Sequence, residues 1–198
     1  KYRNPAMIVS DGVMGEMMEK VVLPPIKPSR TEEQIRKECP WATIGRTMDR
    51  EPNILTSLEL KPEVMEARNL HMQEKYKLCK ENEVRYEAQK CDDADYIIVS
   101  FGSAARIGEK AVELAREQGI KAGLFRPITL WPFPSKQIAE IAKGKKGILV
   151  SEINAGQMIQ DVRLAINGAL PVEHFGRLGG IVPEPEEIVN ALKEKLMK

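Results

Sequence analysis

From Asp95 onward, short apolar runs alternate with amphipathic stretches, the pattern written by a parallel sheet whose two faces are both covered by helices. The apolar runs predict strands at Tyr96–Ser100, around Ala122–Arg126, at Gly147–Ser151 and at Val172–Phe175. Between them, Ile107, Ala111, Leu114 and Ala115 share one face of a helix that Gly119 stops. Ile138, Ile141 and Ala142 mark a second, short helix ended by Gly144. Met158, Val162, Ala165 and Ile166 mark a third, and Pro185 opens a last one carrying Ile188, Leu192 and Leu196. The repetition predicts an α/β fold, a three-layer α/β/α arrangement around a mostly parallel sheet.

Upstream the pattern is different. Residues 24–57 hold Pro24, Pro25, Pro28, Pro40 and Pro52 among charges without a period, which predicts a long irregular connection. Pro62 suits a first helical turn, and Glu63 to about Glu87 has no further Pro or Gly, so one long charged helix is expected there. Met65, Met72, Cys79 and Tyr86 give it a narrow apolar seam, with Tyr76 beside it, as in a helix lying against its own or a neighbouring domain. Ala6–Ser10 is written as a buried strand with nothing before it to pair with. Together with an opening Lys1 in place of Met, this leads to the expectation of a fragment cut from a longer protein.

Composition narrows the function classes. The 198 residues are 42% hydrophobic and 30% charged, and 30 basic against 29 acidic side chains leave a net charge of +1, so no global field favours nucleic acid or an anionic membrane. No apolar run reaches the roughly 20 residues that span a bilayer, and no signal sequence opens the chain. Cys39, Cys79 and Cys91 lack the Cys-x-x-Cys spacing of zinc or iron–sulfur sites, and reduced thiols in the cytoplasm are expected.

Candidate chemistry sits at turns. Ser10-Asp11-Gly12 departs from the Gly-Asp-Gly of thiamine diphosphate sites, and the next Asn is Asn53, so Asp11 is expected to cap a helix through Met14, Met17 and Met18 rather than to hold Mg²⁺. Gly102 and Ser103 lie between a strand and a helix, as do Gly156 and Gln157. Free amides at such turns could hold a phosphate, although plain helix caps fit the same residues. Neither dinucleotide nor Walker spacing is present. His71 and His174 have no Ser or Cys motif nearby and are expected to be structural. Arg177, within Gly176–Gly180, places one guanidinium after the fourth strand. Trp131 and Phe133, among prolines, could be core plugs or anchors for a partner.

The runs Tyr96–Arg106 and Gly119–Pro134 resemble the α subunit of 2-oxoacid:ferredoxin oxidoreductases, as do Asn154–Met158, Gly176–Gly180, Pro40-Trp41-Ala42 and the start from Pro5 to Glu19. The resemblance is to the branched-chain (2-oxoisovalerate) and 2-oxoglutarate types, with the former preferred and a pyruvate-specific member as an alternative. It implies that residues 1–20 end a preceding pyrimidine-binding domain, 21–92 form the connection and long helix, and 93–198 form a domain similar to the C-terminal domain of transketolase. It further implies oxidative decarboxylation of a 2-oxoacid to an acyl-CoA, with electrons passing to ferredoxin. The whole enzyme would use thiamine diphosphate, Mg²⁺, 4Fe–4S clusters and coenzyme A, with β and γ/δ subunits as partners. For this chain the resemblance implies an assembly role with no catalytic residue of its own, Trp131, Phe133 and Arg177 facing sister subunits. The alternative is a coenzyme A phosphate at Gly102, Ser103, Gly156 and Gln157.

Overall fold

The computed structural model describes residues 1–43, 45 and 51–197. Part of the predicted irregular connection, at 44 and 46–50, lies outside the described residues. The chain divides into two compact units, Lys1–Met17 with Gln73–Lys198, and Met18–Met72. In chain order the elements are α1 (Gly12–Glu16), α2 (Glu32–Glu38), α3 (Pro62–Asn82), β1 (Tyr86–Gln89), β2 (Tyr96–Val99), α4 (Gly102–Glu117), β3 (Ala122–Pro127), α5 (Ser135–Ile141), β4 (Gly147–Glu152), α6 (Met158–Ile166), β5 (Val172–Gly176) and α7 (Pro185–Leu196).

The first unit is built on one sheet of order β1-β3-β2-β4-β5. β2, β3, β4 and β5 are mutually parallel, and β1 pairs antiparallel with β3 at the edge. All side chains of β2 and β4 are buried. Because successive strand residues point to opposite faces, Ile97, Val99, Ile148 and Val150 join Phe125, Ile138, Val162 and Ile166 under α5 and α6. Ile98 and Leu149 join Leu124, Ala111, Val112, Ile188 and Leu192 under α4 and α7. The four predicted strands and four predicted helices of this half are therefore present, and the sheet has the expected helical layer on each face.

Three expectations are corrected. The long helix ends at Asn82, and Tyr86, assigned to its seam, lies in β1, where its ring stacks on Phe125 with centroids 5.4 Å apart. A short exposed edge strand carrying Glu87 has no clear period to separate it from a charged helix. Ala6–Ser10 is not a strand: its residues are exposed, and α1 stops at Glu16, short of Met17 and Met18. This segment is tied to its unit by polar contacts, Lys1 Nζ and Tyr2 Oη donating to Glu83 at 2.7 and 2.8 Å and Lys75 Nζ donating to Asn4 at 2.6 Å. Within the irregular connection, Thr31 and Gln34 form a capping box that starts α2.

The second unit contains α2 and the amino-terminal part of α3. Ion pairs Arg36–Glu32 and Arg68–Glu59, at 2.7 and 3.2 Å, lie within it. Among its described residues no side chain is buried, and Val21, Val22, Leu23, Ile26, Ile54, Leu55, Leu58 and Leu60 are all exposed.

The edge next to β3 is closely fitted. A Cβ added at Gly123 would lie 2.7 Å from the Lys90 carbonyl and 2.9 Å from Cys91 Cα, both backbone atoms that cannot swing aside. Cys91 donates its thiol to the Leu124 carbonyl at 3.2 Å, and burial pushes that thiol up to about 11. Gly123→Ala is expected to lower the unfolding free energy by about 1–3 kcal/mol through this overpacking. Urea denaturation checks it, and an unchanged midpoint would show that the β1–β3 edge gives way freely.

Candidate functional site

In parallel α/β sheets, ligands bind outside the carboxyl ends of the strands, where the strand order reverses. Here β3 lies on one side of β2 and β4 on the other, so the reversal falls between β2 and β4. The turns that leave these strands carry the sequence-predicted residues Gly102, Ser103, Gly156 and Gln157.

At the β2 turn, Phe101 is the N-cap of α4 and supplies no side-chain bond, while Gly102 adopts φ 56°. The side chain that reaches this helix start comes from far away in the sequence. Ser103 Oγ donates to Asp11 Oδ2 at 2.6 Å, and Asp11 Oδ1 accepts from the Met14 amide at 2.8 Å. The Ser103 hydroxyl first, and the Met14 amide second, hold the Asp11 carboxyl below the usual carboxylate range. Asp11 is thus the N-cap of α1 and places a negative charge beside the amino-terminal end of α4, where the helix dipole favours it. The pairing joins residues 92 apart, and nothing in the local pattern announces it.

At the β4 turn, Glu152 closes an apolar strand and is fully buried. A buried carboxylate needs compensation, and the start of α6 provides it. Glu152 Oε2 accepts from the amides of Gln157 and Met158 at 3.2 and 2.9 Å, and Oε1 from that of Ile159 at 3.1 Å. Asn154 Oδ1 accepts from the Gly156 and Gln157 amides at 2.7 and 3.2 Å. The amides at 156–159 are therefore bonded to the chain's own acceptors and are not open to a ligand in this arrangement. β4 runs one residue beyond the expected Ser151 and ends on Glu152, which the apolar run alone does not mark. The available signal was a single acidic residue following an apolar run shortly before a helix start.

Arg177 donates its backbone amide to the Glu152 carbonyl at 3.3 Å, and its guanidinium lies 3.4 Å from Glu187 Oε1. Phe133 is partly buried and packs against the core beneath α5 and α6. Trp131 is 56% exposed and meets Tyr76 edge-on, with centroids 5.6 Å apart and rings at 86°. His71 belongs to the second unit, and His174 lies in β5 of the first. Among the described residues no group of three or more His, Cys, Asp or Glu side chains is placed to hold a metal. Chemically, the β4 turn has its amides bonded to Glu152 and Asn154, and the β2 turn holds a serine hydroxyl on the Asp11 carboxylate.

Residues 94–188 match the family model of the pyruvate:ferredoxin oxidoreductase core domain II. Over 194 residues the chain is 40% identical to the ketoisovalerate oxidoreductase subunit VorB of Methanothermobacter marburgensis, covering 98% of this chain and 53% of that one. Over 217 residues it is 29% identical to the 2-oxoglutarate synthase subunit KorA of the same organism, covering 97% of this chain and 56% of that one. The chain thus spans about half the length of the curated relatives it matches. In fold it is similar to the 2-oxoglutarate:ferredoxin oxidoreductase of Magnetococcus marinus, with a TM-score of 0.61 at 24% identity over 70% of this chain and 24% of that one. A split-gene transketolase shares the fold at a TM-score of 0.50 and 17% identity, over 57% of this chain and 41% of that one. Residues 94–188 thus match a core domain II of the pyruvate:ferredoxin oxidoreductase family, on a chain similar along nearly its whole length to part of the ketoisovalerate and 2-oxoglutarate oxidoreductase subunits.

Proposed function

We propose that this chain is part of the α subunit of a 2-oxoacid:ferredoxin oxidoreductase of the 2-ketoisovalerate type, and that it serves assembly rather than chemistry. The observation that carries the assignment is the 40% identity to VorB across 98% of the chain, above the 29% to KorA. The reaction would decarboxylate the 2-oxoacid, transfer the acyl group to coenzyme A and deliver the electrons to ferredoxin, in the cytoplasm. Thiamine diphosphate with Mg²⁺ would supply the carbanion chemistry, and iron–sulfur clusters the path for electrons.

The assembly role rests on unsatisfied apolar surface. Large contiguous apolar areas on a soluble protein mark interaction sites, and among the described residues of the second unit many large aliphatic side chains, Val21, Leu23, Ile26 and Leu60 among them, are exposed. On the first unit, exposed Trp131, Ile128, Leu130 and Tyr86 cluster along β1 and the segment after β3. An aromatic anchor fixed by Tyr76 and rimmed by aliphatics suits a subunit interface. We assign β and γ/δ subunits of the same enzyme to these surfaces. Coenzyme A phosphate at the strand-end turns is the weaker alternative, because Asp11 and Glu152 already bring carboxylates to both helix starts.

Two experiments test this. The intact protein purified with its partner subunits is expected to reduce ferredoxin, or a viologen dye, in the presence of coenzyme A and 2-oxoisovalerate, faster than with 2-oxoglutarate or pyruvate. Absence of turnover with any 2-oxoacid would overturn the assignment. Trp131→Ala, which removes an exposed ring and leaves Phe133 in the core, is expected to weaken subunit association at least about tenfold, by about 1.4 kcal/mol or more. Association as tight as in the unchanged protein would remove Trp131 from the interface.

A further inference from the structure

An ionised carboxylate offers about four lone-pair sites. In Glu152 three are filled by the Gln157, Met158 and Ile159 amides, two on Oε2 and one on Oε1. The remaining site lies on Oε1, and the group that approaches it is His174 Nε2, 3.8 Å away. That nitrogen is buried and has no other partner.

The ring sits in a niche made by two glycines. A Cβ at Gly156 would lie 3.4 Å from His174 Nε2, and one at Gly176 would lie 2.6 Å from Cε1 and collide with the Asn154 carbonyl. Gly156 also adopts φ +100°, which side-chain-bearing residues rarely take. Both positions therefore leave the space that the imidazole fills between β5 and the turn before α6.

The charges around it single out Glu152. From α6, the residues against the niche are the apolar Met158 and Ile159; Asp161 is exposed, and Arg163 donates to the Val172 carbonyl. On β5, Glu173 points to the opposite face from His174. From the turn, Asn154 is uncharged, and beyond β5 the Arg177 guanidinium pairs with Glu187.

We propose that His174 is the fourth donor to Glu152, and that its protonated ring latches the turn at 153–157 and the first turn of α6 to the end of β5. Imidazole changes charge close to neutral pH. The imidazolium completes a charge-assisted bond to a carboxylate shielded from water, and the neutral ring leaves a weaker contact. The sign follows: the latch is closed where the ring carries its proton and loosens as pH rises and the ring loses it. The inference rests on side chains of this chain alone and stands apart from the proposed reaction.

Hydrogen exchange by mass spectrometry on the intact protein, corrected for intrinsic rates, tests it. Peptides covering 156–159 are expected to be protected about threefold or more at pH about 5.5 relative to about 8, with peptides of α7 as reference. His174→Gln, which keeps a polar group of similar reach without a titratable charge, should abolish the difference while leaving the α7 reference unchanged. Equal protection at both pH values in the unchanged protein, or a difference that survives in His174→Gln, would overturn the proposal.

Discussion

A strand buried on both faces cannot satisfy a polar side chain along its length, so polar chemistry is pushed to its ends. β2 and β4 are two such strands lying side by side, and the rest of the first unit is arranged to cover them. Four helices bring apolar stripes to the two faces, and the alternation of Ile97, Ile98 and Val99 divides one strand between two cores. At roughly 25 cal/mol per Å² of apolar surface removed from water, this double burial is the dominant favourable term.

The consequences appear where the strands stop. Each helix that follows must start with unbonded amides, and each start is supplied with a carboxylate from the chain itself. Glu152 does this from within its own strand, at the cost of burying a charge, and recovers stability through three amide bonds. Asp11 does it at α4 through Ser103, from the other end of the sequence. Of the two turns, the one after β4 thus has its amides bonded to an internal carboxylate, and the one after β2 holds Asp11 through the Ser103 hydroxyl.

How far the sequence foretold this depends on the range of the interaction. The positions of β2, β3, β4 and β5 and their covering helices follow from runs and periods within a few residues, and these expectations agree with the structure. β1 did not announce itself, because a four-residue exposed edge strand is set by its pairing with β3 and not by its own pattern. Phe133 and Trp131, two residues apart between prolines, look alike in sequence; only the tertiary fold turns one to the core and the other toward Tyr76. Glu152 and the Asp11–Ser103 pair were hidden for a similar reason, since compensation of a buried charge and a contact across 92 residues have no local signature. The family itself was recognisable from the long segments around Tyr96–Arg106 and Gly119–Pro134, and the match over residues 94–188 agrees with it.

On the proposed reading, a domain with covered strands and an exposed aromatic anchor holds other parts in place. The most direct measurement of that claim is a cryo-electron microscopy reconstruction of the intact complex with thiamine diphosphate and coenzyme A bound. The account predicts Trp131 buried against another subunit, and both cofactors away from the turns at 102–103 and 154–157. Density for either cofactor bonded to those turns, with Asp11 or Glu152 displaced, would contradict it.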